Sequence, residues 1–412
     1  MLLARLFRAF IRKGAVTVID PRGMWHICDS GVPGPRATIR VHDNATARRL
    51  ILNPTLEAGE AYMDGTLTIE SGTLYDFLDA CTANLHHLFD LPLYSGFDRA
   101  SRVLRGLAQI NPVGRSKRNV AHHYDLSGRL YDLFLDTDRQ YSCGYYADTD
   151  RSLEDAQRDK KRHIAAKLML DRPGLRVLDI GCGWGGLGLY LAAECGAEVT
   201  GITLSEEQLK LARDRAQRAG LADRVRFELR DYRHQDGSFD RIVSVGMFEH
   251  VGAPQFPAFF AKVHDLLAED GVALLHSIGR SDGPGMTNPW IRKYIFPGGY
   301  CPALSEVLPV VEKTGLFATD IEILRLHYAE TLRAWRNRFA ANRERAVALY
   351  DKRFARMWEF YLAGSELAFR NEGQMVFQLQ MTRKIDALPM TRDYIYEWEH
   401  RGEKRTRQES AA

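Results

Sequence analysis

Apolar and polar positions change their period at about residue 160, and that change organises the chain. Downstream, β-rich runs at residues 176–180, 198–203, 225–229, 241–245 and 272–278 alternate with helical periodicity at 187–195, 206–219 and 257–267. Such alternation predicts an α/β fold, a parallel sheet with helices on both faces. After Ile278 it gives way to a Gly/Pro-rich loop, 281–300, and then to a helical section from about 305 to 369, expected to pack as a cap. Upstream, β-rich pieces at 15–19 and 37–41 flank Gly31-Val32-Pro33-Gly34-Pro35, with helical patterns near 45–52 and 74–88. A small α+β domain over 1–110 is expected, then a polar linker at 111–118 that opens a second domain, 111–412.

Two further patterns leave alternatives open. Read as a helix, Met1 to Gly14 gathers Leu2, Leu3, Leu6, Phe7, Phe10 and Ile11 on one face and arginines on the other. That suits a helix lying on an anionic membrane surface, and equally one docked on its own domain. The stretch from Thr331 to Trp358 carries Arg333, Arg336, Arg338, Arg343, Arg345, Lys352, Arg353 and Arg356, which reads as a solvated face or as a lipid-docking one.

Composition narrows the class. A chain of 412 residues with 45% hydrophobic and 26% charged positions fits a soluble globular protein, and a net charge of +3 gives no reason to expect a nucleic-acid partner. Six cysteines without C-x-x-C spacing suggest neither a metal site nor a disulfide framework, so a reduced, cytoplasmic setting is expected. No apolar run is long enough to cross a bilayer.

The richest segment is Val177-Leu178-Asp179-Ile180-Gly181-Cys182-Gly183-Trp184-Gly185-Gly186, an apolar strand ending in glycines before a helix. Such a turn lets a nucleoside approach the backbone without meeting Cβ atoms. The spacing satisfies G-x-G-x-x-G, and a dinucleotide site expects an acid roughly twenty residues on. Here the next strand ends in Thr203. With Asp179 giving L-D-I-G-C-G, wording that resembles class I methyltransferases, S-adenosylmethionine (SAM) is favoured over NAD.

Further motifs point the same way: His122-His123-Tyr124-Asp125-Leu126, Tyr141-Ser142-Cys143-Gly144-Tyr145, Gly246-Met247-Phe248-Glu249-His250-Val251-Gly252, His276-Ser277-Ile278-Gly279, Tyr294-Ile295-Phe296-Pro297-Gly298-Gly299, His327-Tyr328, and the early Gly59-Glu60-Ala61-Tyr62-Met63-Asp64-Gly65. Together they resemble the cyclopropane fatty acid synthases and their mycolic-acid relatives. The resemblance implies a class I SAM methyltransferase (Rossmann-like) domain with a helical cap and a small N-terminal lipid-binding domain. It implies methylene transfer from SAM to the cis double bond of unsaturated phospholipid acyl chains, by a homodimer at the inner membrane surface.

It also implies roles. Cys143 and Ile278 (through backbone groups), Glu249, His276 and Tyr328 would hold a bicarbonate base. Tyr141 and Ser142 would lie near the SAM carboxylate, Gly181 and Gly183 beneath its methionine part, Thr203, Leu204 and Gln208 near the ribose and adenosine, and Asp231 and Tyr232 beside the adenine. Taken singly, each has a plainer reading: His276 as a structural hydrogen-bonder, Tyr328 as core, Glu249 as a helix-start carboxylate, Asp231-Tyr232 as a strand-end turn. Some relatives carry a cysteine where this chain has Ser365, which speaks against a thiol nucleophile here. A related C-methyltransferase giving methyl-branched or methylene products, and a small-molecule methyltransferase, remain as alternatives.

Overall fold

The computed structural model describes residues 1–92, 94, 128–148 and 150–400. The motif 122–126 and the linker 111–118 lie outside the described residues. Two compact units emerge, one from residues 1–108, 285–297 and 329–374, the other from 109–284, 298–328 and 375–412.

The first unit carries a four-stranded sheet of β1 (Ala15–Ile19), β2 (Trp25–Asp29), β3 (Arg36–Val41) and β4 (Leu67–Ser71), in the order β2-β1-β3-β4. Inward-facing Val16, Val18, Ile39 and Val41 form its core with Leu3, Phe7 and Phe10 of the helix Leu2–Phe10. That settles the reading of the N-terminal helix: its apolar face packs on its own unit, where each phenylalanine adds about 2 kcal/mol of burial. At least four of the eight basic side chains of the stretch 331–358 are ion-paired within the unit. Arg336 pairs with buried Glu366, Arg343 with Glu359, Arg353 with Asp64 and Arg333 with Glu330. These pairs account for half of the positive charge considered for lipid docking along that stretch.

The second unit is built on β5 (Arg176–Ile180), β6 (Glu198–Thr203), β7 (Val225–Leu229), β8 (Phe239–Val245), β9 (Leu267–Arg280), β10 (Phe317–Leu324) and β11 (Gln374–Thr382), ordered β10-β11-β9-β8-β5-β6-β7. The five strands from β9 to β7 run parallel, as their sequence pattern predicts. Leu178 and Ile180 of β5 join Phe248, Phe259 and Phe260 on one face, while Val177 joins Leu191, Ala212 and Phe227 on the other. Both faces are therefore covered, the condition that makes parallel strands uniformly apolar.

The sheet is mixed rather than wholly parallel, because β10 pairs antiparallel with β11. The expected helical section thus contains a strand, β10. Its run Thr319-Asp320-Ile321-Glu322-Ile323 is only half apolar, because Asp320 and Glu322 serve buried ion pairs with Lys167. No helix of the described residues is long and apolar enough to cross a membrane.

Candidate functional site

The turns that follow the parallel strands enclose a cavity in the second unit. Gly181 and Gly183 come from the turn after β5, Thr203 and Leu204 from the end of β6, Asp231 and Tyr232 from the segment after β7, and Gly246 and Met247 from that after β8. Tyr141, Ser142 and Gln208 also line it. Two glycines make the turn possible. Gly181 has φ +85°, and a Cβ there would sit 2.7 Å from Met247 Cβ. Gly185 has φ +83°, and a Cβ there would strike the Phe227 ring at 2.6 Å. Both positions demand the left-handed region that glycine enters freely.

Polar groups inside the cavity are specifically engaged. Lys160, 1% exposed, donates from Nζ to Gln140 Oε1 at 2.8 Å and to Ser142 Oγ at 2.7 Å, and burial pulls its ammonium down to about 8. Asp179, 2% exposed, is pushed up to about 7 by burial, and its Oδ2 has no hydrogen-bond partner. Thr203 Oγ1 donates to Gln208 Oε1 at 2.9 Å, which leaves the Gln208 NH2 group as the donor end. Burial works to raise the Asp231 carboxyl, but a two-pronged pair with Arg233 (2.8 and 2.6 Å) holds it below its ordinary range.

A second polar group lies beside this wall. Glu249 sits in the short turn Phe248–His250 after β8, and its Oε1 accepts from the Ile278 backbone N at 2.7 Å. Its Oε2 is buried without a partner. Burial pushes the carboxyl up to about 7, against the lowering pull of the Ile278 N–H, its own backbone N–H and the Ser277 hydroxyl, which also donates to Ile278 O at 3.0 Å. His276 on β9 pairs in register with Val245, and its carbonyl accepts from Gly246 N at 3.0 Å. Its Nδ1 lies 3.2 Å from Gln378 Nε2, and burial pulls the imidazole down to about 3, so the ring is neutral.

Residues 113–379 match the family described as mycolic acid cyclopropane synthetase. The chain belongs to that family. It is 37% identical over 377 residues to a protein of Pseudomonas putida named "Probable fatty acid methyltransferase", covering 88% of this chain and 92% of that one. It is 38% identical over 361 residues to the cyclopropane-fatty-acyl-phospholipid synthase of Escherichia coli K12, covering 85% and 89%. Its fold resembles a mycolic acid cyclopropane synthase solved with SAH and CTAB, with TM-score 0.61 and 33% identity over 66% of this chain and 99% of that one. The fold is that of the class I SAM methyltransferases, and the family is one of SAM-dependent methyltransferases.

For a family member the cavity fits SAM on its own features: a glycine turn open at Gly183, where a Cβ would meet nothing within 4 Å, and a buried carboxylate oxygen at Asp179 with no partner. All nine residues expected around SAM line it. Of the five expected around bicarbonate, Glu249 and Ile278 are joined directly, His276 stands two residues before Ile278 on β9, Cys143 follows Ser142 of the wall, and Tyr328 opens the helix His327–Ala341. Cys143, His276, Glu249 and Tyr328 are all buried. None of the five lines the SAM cavity itself. Ser365 belongs to the first unit, on the helix Lys352–Asn371.

Sequence reasoning left several lining residues unassigned, among them Lys160, Asp179 as a wall group, and His250, which burial pulls down to about 4. Asp179 and His250 lie within the motifs 177–186 and 246–252, which carry the signal for both. Lys160 had no signal, being one lysine in a charged helix.

Proposed function

We propose that this protein transfers a methylene unit from SAM to the cis double bond of unsaturated phospholipid acyl chains, forming cyclopropane fatty acids. The observation that carries the reading is Glu249: a buried carboxylate with one oxygen fixed by Ile278 and the other unmatched, beside the glycine-turn cavity. SAM, when bound, would supply an electrophilic sulfonium methyl that the π bond of the acyl chain takes up, the S–CH3 bond breaking and S-adenosylhomocysteine leaving. The resulting cation loses a proton from the new methyl group as the ring closes. Tyr141 and Ser142 orient the donor, and Lys160 holds Ser142 in place for it. The buried wall excludes water that would otherwise trap the cation.

The residues fit a bound bicarbonate, which would supply the base for that proton. Glu249 Oε2 is an unmatched buried acceptor, and neutral His276 brings a ring that can donate. Cys143, Ile278, Glu249, His276 and Tyr328 would hold it. Glu249, at about 7, is poised to hold or release a proton at Oε2 near neutrality.

The partner is an anionic phospholipid surface met by the N-terminal domain, 1–110, with the protein cytoplasmic and peripheral. Met24, Trp25 and Ile27 of the β2 region are 61%, 64% and 63% exposed, and Leu2 is 69% exposed. Arg8 Nε reaches Ile27 O at 3.2 Å, which brings the exposed arginine of the first helix beside them, with Arg5 one turn earlier and Arg12 just past the helix end. Apolar tips ringed by arginines are the chemistry of an interfacial contact.

The name carried by the Pseudomonas putida relative favours a second reading, methyl-branched or methylene products from the same first step. The functional test is methyl transfer from labelled SAM into vesicles of unsaturated phospholipid, with saturated vesicles and soluble amines as controls. Label in unsaturated acyl chains alone is expected. Label in soluble acceptors with vesicles untouched would overturn the reading.

A further inference from the structure

A buried cluster behind the cavity is used by none of the chemistry above. His163, on the helix Leu153–Lys167, is 2% exposed. Its Nδ1 lies 2.7 Å from Glu399 Oε1 and its Nε2 lies 2.8 Å from Glu322 Oε2. An imidazole donates from both nitrogens only when protonated, so the ring is a cation between two carboxylates. Burial alone would pull its pKa down, and the hydrogen bonds to Glu322 and Glu399 more than offset that, leaving it above the ordinary 6.5. The surrounding charges balance. Lys167 pairs with Asp320 at 3.1 Å and Glu322 at 2.5 Å, and Arg392 pairs with Asp320 at 3.1 Å. Three cations thus face three carboxylates.

Tyr145 connects this cluster to the site. Its ring stacks on His163 (centroids 4.2 Å apart, 17° between planes) and on His327 (5.0 Å, 22°). Its backbone N donates to Ala156 O at 2.9 Å, on the helix that carries His163. His327 in turn accepts from Tyr146 N at Nδ1, 2.9 Å, so its own proton sits on Nε2 and the ring is neutral. One tyrosine therefore lies between a charged and a neutral imidazole. The segments so joined are 143–146, which carries Cys143, and 327–328, which carries Tyr328.

We propose that His163, clamped between Glu322 and Glu399, is a positioning residue: through Tyr145 and His327 it fixes where Cys143 and Tyr328 stand in the site. The proposal rests on the reading above, in which those two residues belong to the reacting centre. Hydrophobic packing would hold these elements together at less cost than a buried cation. What the clamp adds is direction. Two carboxylates from separate elements admit one orientation of the ring, and the ring admits one seat for Tyr145.

The experiment uses the full chain with Tyr145→Leu, Tyr145→Phe, His163→Gln and the milder Glu399→Gln. Three readouts are amide exchange in the 141–148 peptide, SAM affinity by calorimetry, and turnover on unsaturated phospholipid vesicles. Tyr145→Leu and His163→Gln are expected to speed exchange at 143–146 and to lower kcat by about tenfold or more, the usual effect of removing a positioning partner. SAM affinity and exchange in β5 and β6 should stay at wild-type values. Glu399→Gln should move the same readouts less, and Tyr145→Phe, which keeps the stack, should match wild type. Unchanged exchange at 143–146 in Tyr145→Leu and His163→Gln would overturn the proposal. So would faster exchange with undiminished kcat, or loss of SAM affinity and of sheet protection together, the mark of a plain core residue. Wild-type protein that leaves acyl chains unmethylated would refute the functional reading alone, and the exchange readout would still uphold or overturn the clamp.

Discussion

Glu249 Oε1 accepts the backbone N–H of Ile278 at 2.7 Å, while Oε2 of the same buried carboxylate has no partner. One oxygen fixes the side chain and the other is kept for chemistry. Replacing Glu249 with Gln keeps an oxygen to accept from Ile278 and puts an NH2 group in place of the unpartnered Oε2. Turnover should fall at least 100-fold, on the order expected for losing a proton-transfer group. SAM affinity by calorimetry should stay within about threefold, because Glu249 does not line that cavity. Undiminished turnover would remove Glu249 from the mechanism.

The same substitution has a stability signature with a definite sign. The Glu249 carboxyl is raised from 4.5 to about 7 in the fold, chiefly by burial. Between those values the folded state binds more proton than the unfolded chain, so stability falls as pH rises through the window. At pH 8 the penalty is at most about 3 kcal/mol. Glu249→Gln should therefore unfold at higher denaturant than wild type at pH 8, with the difference vanishing near pH 4.5. An equal difference at both pH values would contradict the assignment.

The fold and the SAM wall were legible for one reason: strand ends, glycine turns and the residues after them are local in sequence. Thr203 and Asp231 sit where their strands stop, so naming the strands placed the residues. The polar cluster behind them was not legible. Gln378 meets His276 across 102 positions and Glu399 meets His163 across 236. β10 was lost to a helical reading because its acids face buried cations rather than water. The amphipathic first helix was legible as a helix, but its periodicity could not say which apolar surface it meets.

Gly181→Ala tests the turn. The new Cβ would need a positive φ and would meet Met247 Cβ at 2.7 Å. Strain of roughly 1–3 kcal/mol should lower the unfolding midpoint and weaken SAM binding together. Wild-type values for both would mean the turn tolerates a side chain and does not shape the cavity.

The exposed face of β2 makes a prediction that leaves the cavity alone. Trp25→Ala with Ile27→Ala should lower binding to anionic vesicles about tenfold or more, given 1.5–3 kcal/mol for each fully buried apolar side chain. SAM affinity should not change. Unaltered vesicle binding would rule the face out, and a loss of self-association instead would mark it as a contact between copies of the chain.

The most direct measurement gives the protein SAM carrying a fully deuterated methyl group, presents unsaturated phospholipid vesicles, and reads the acyl chains by mass and NMR. Ring closure by loss of a proton from the new methyl predicts upfield cyclopropyl signals and retention of two of the three deuterium atoms, with yield falling when bicarbonate is stripped from the buffer. Chains that keep all three deuterium atoms, or that show olefinic or exomethylene signals with no cyclopropyl resonance, would contradict it.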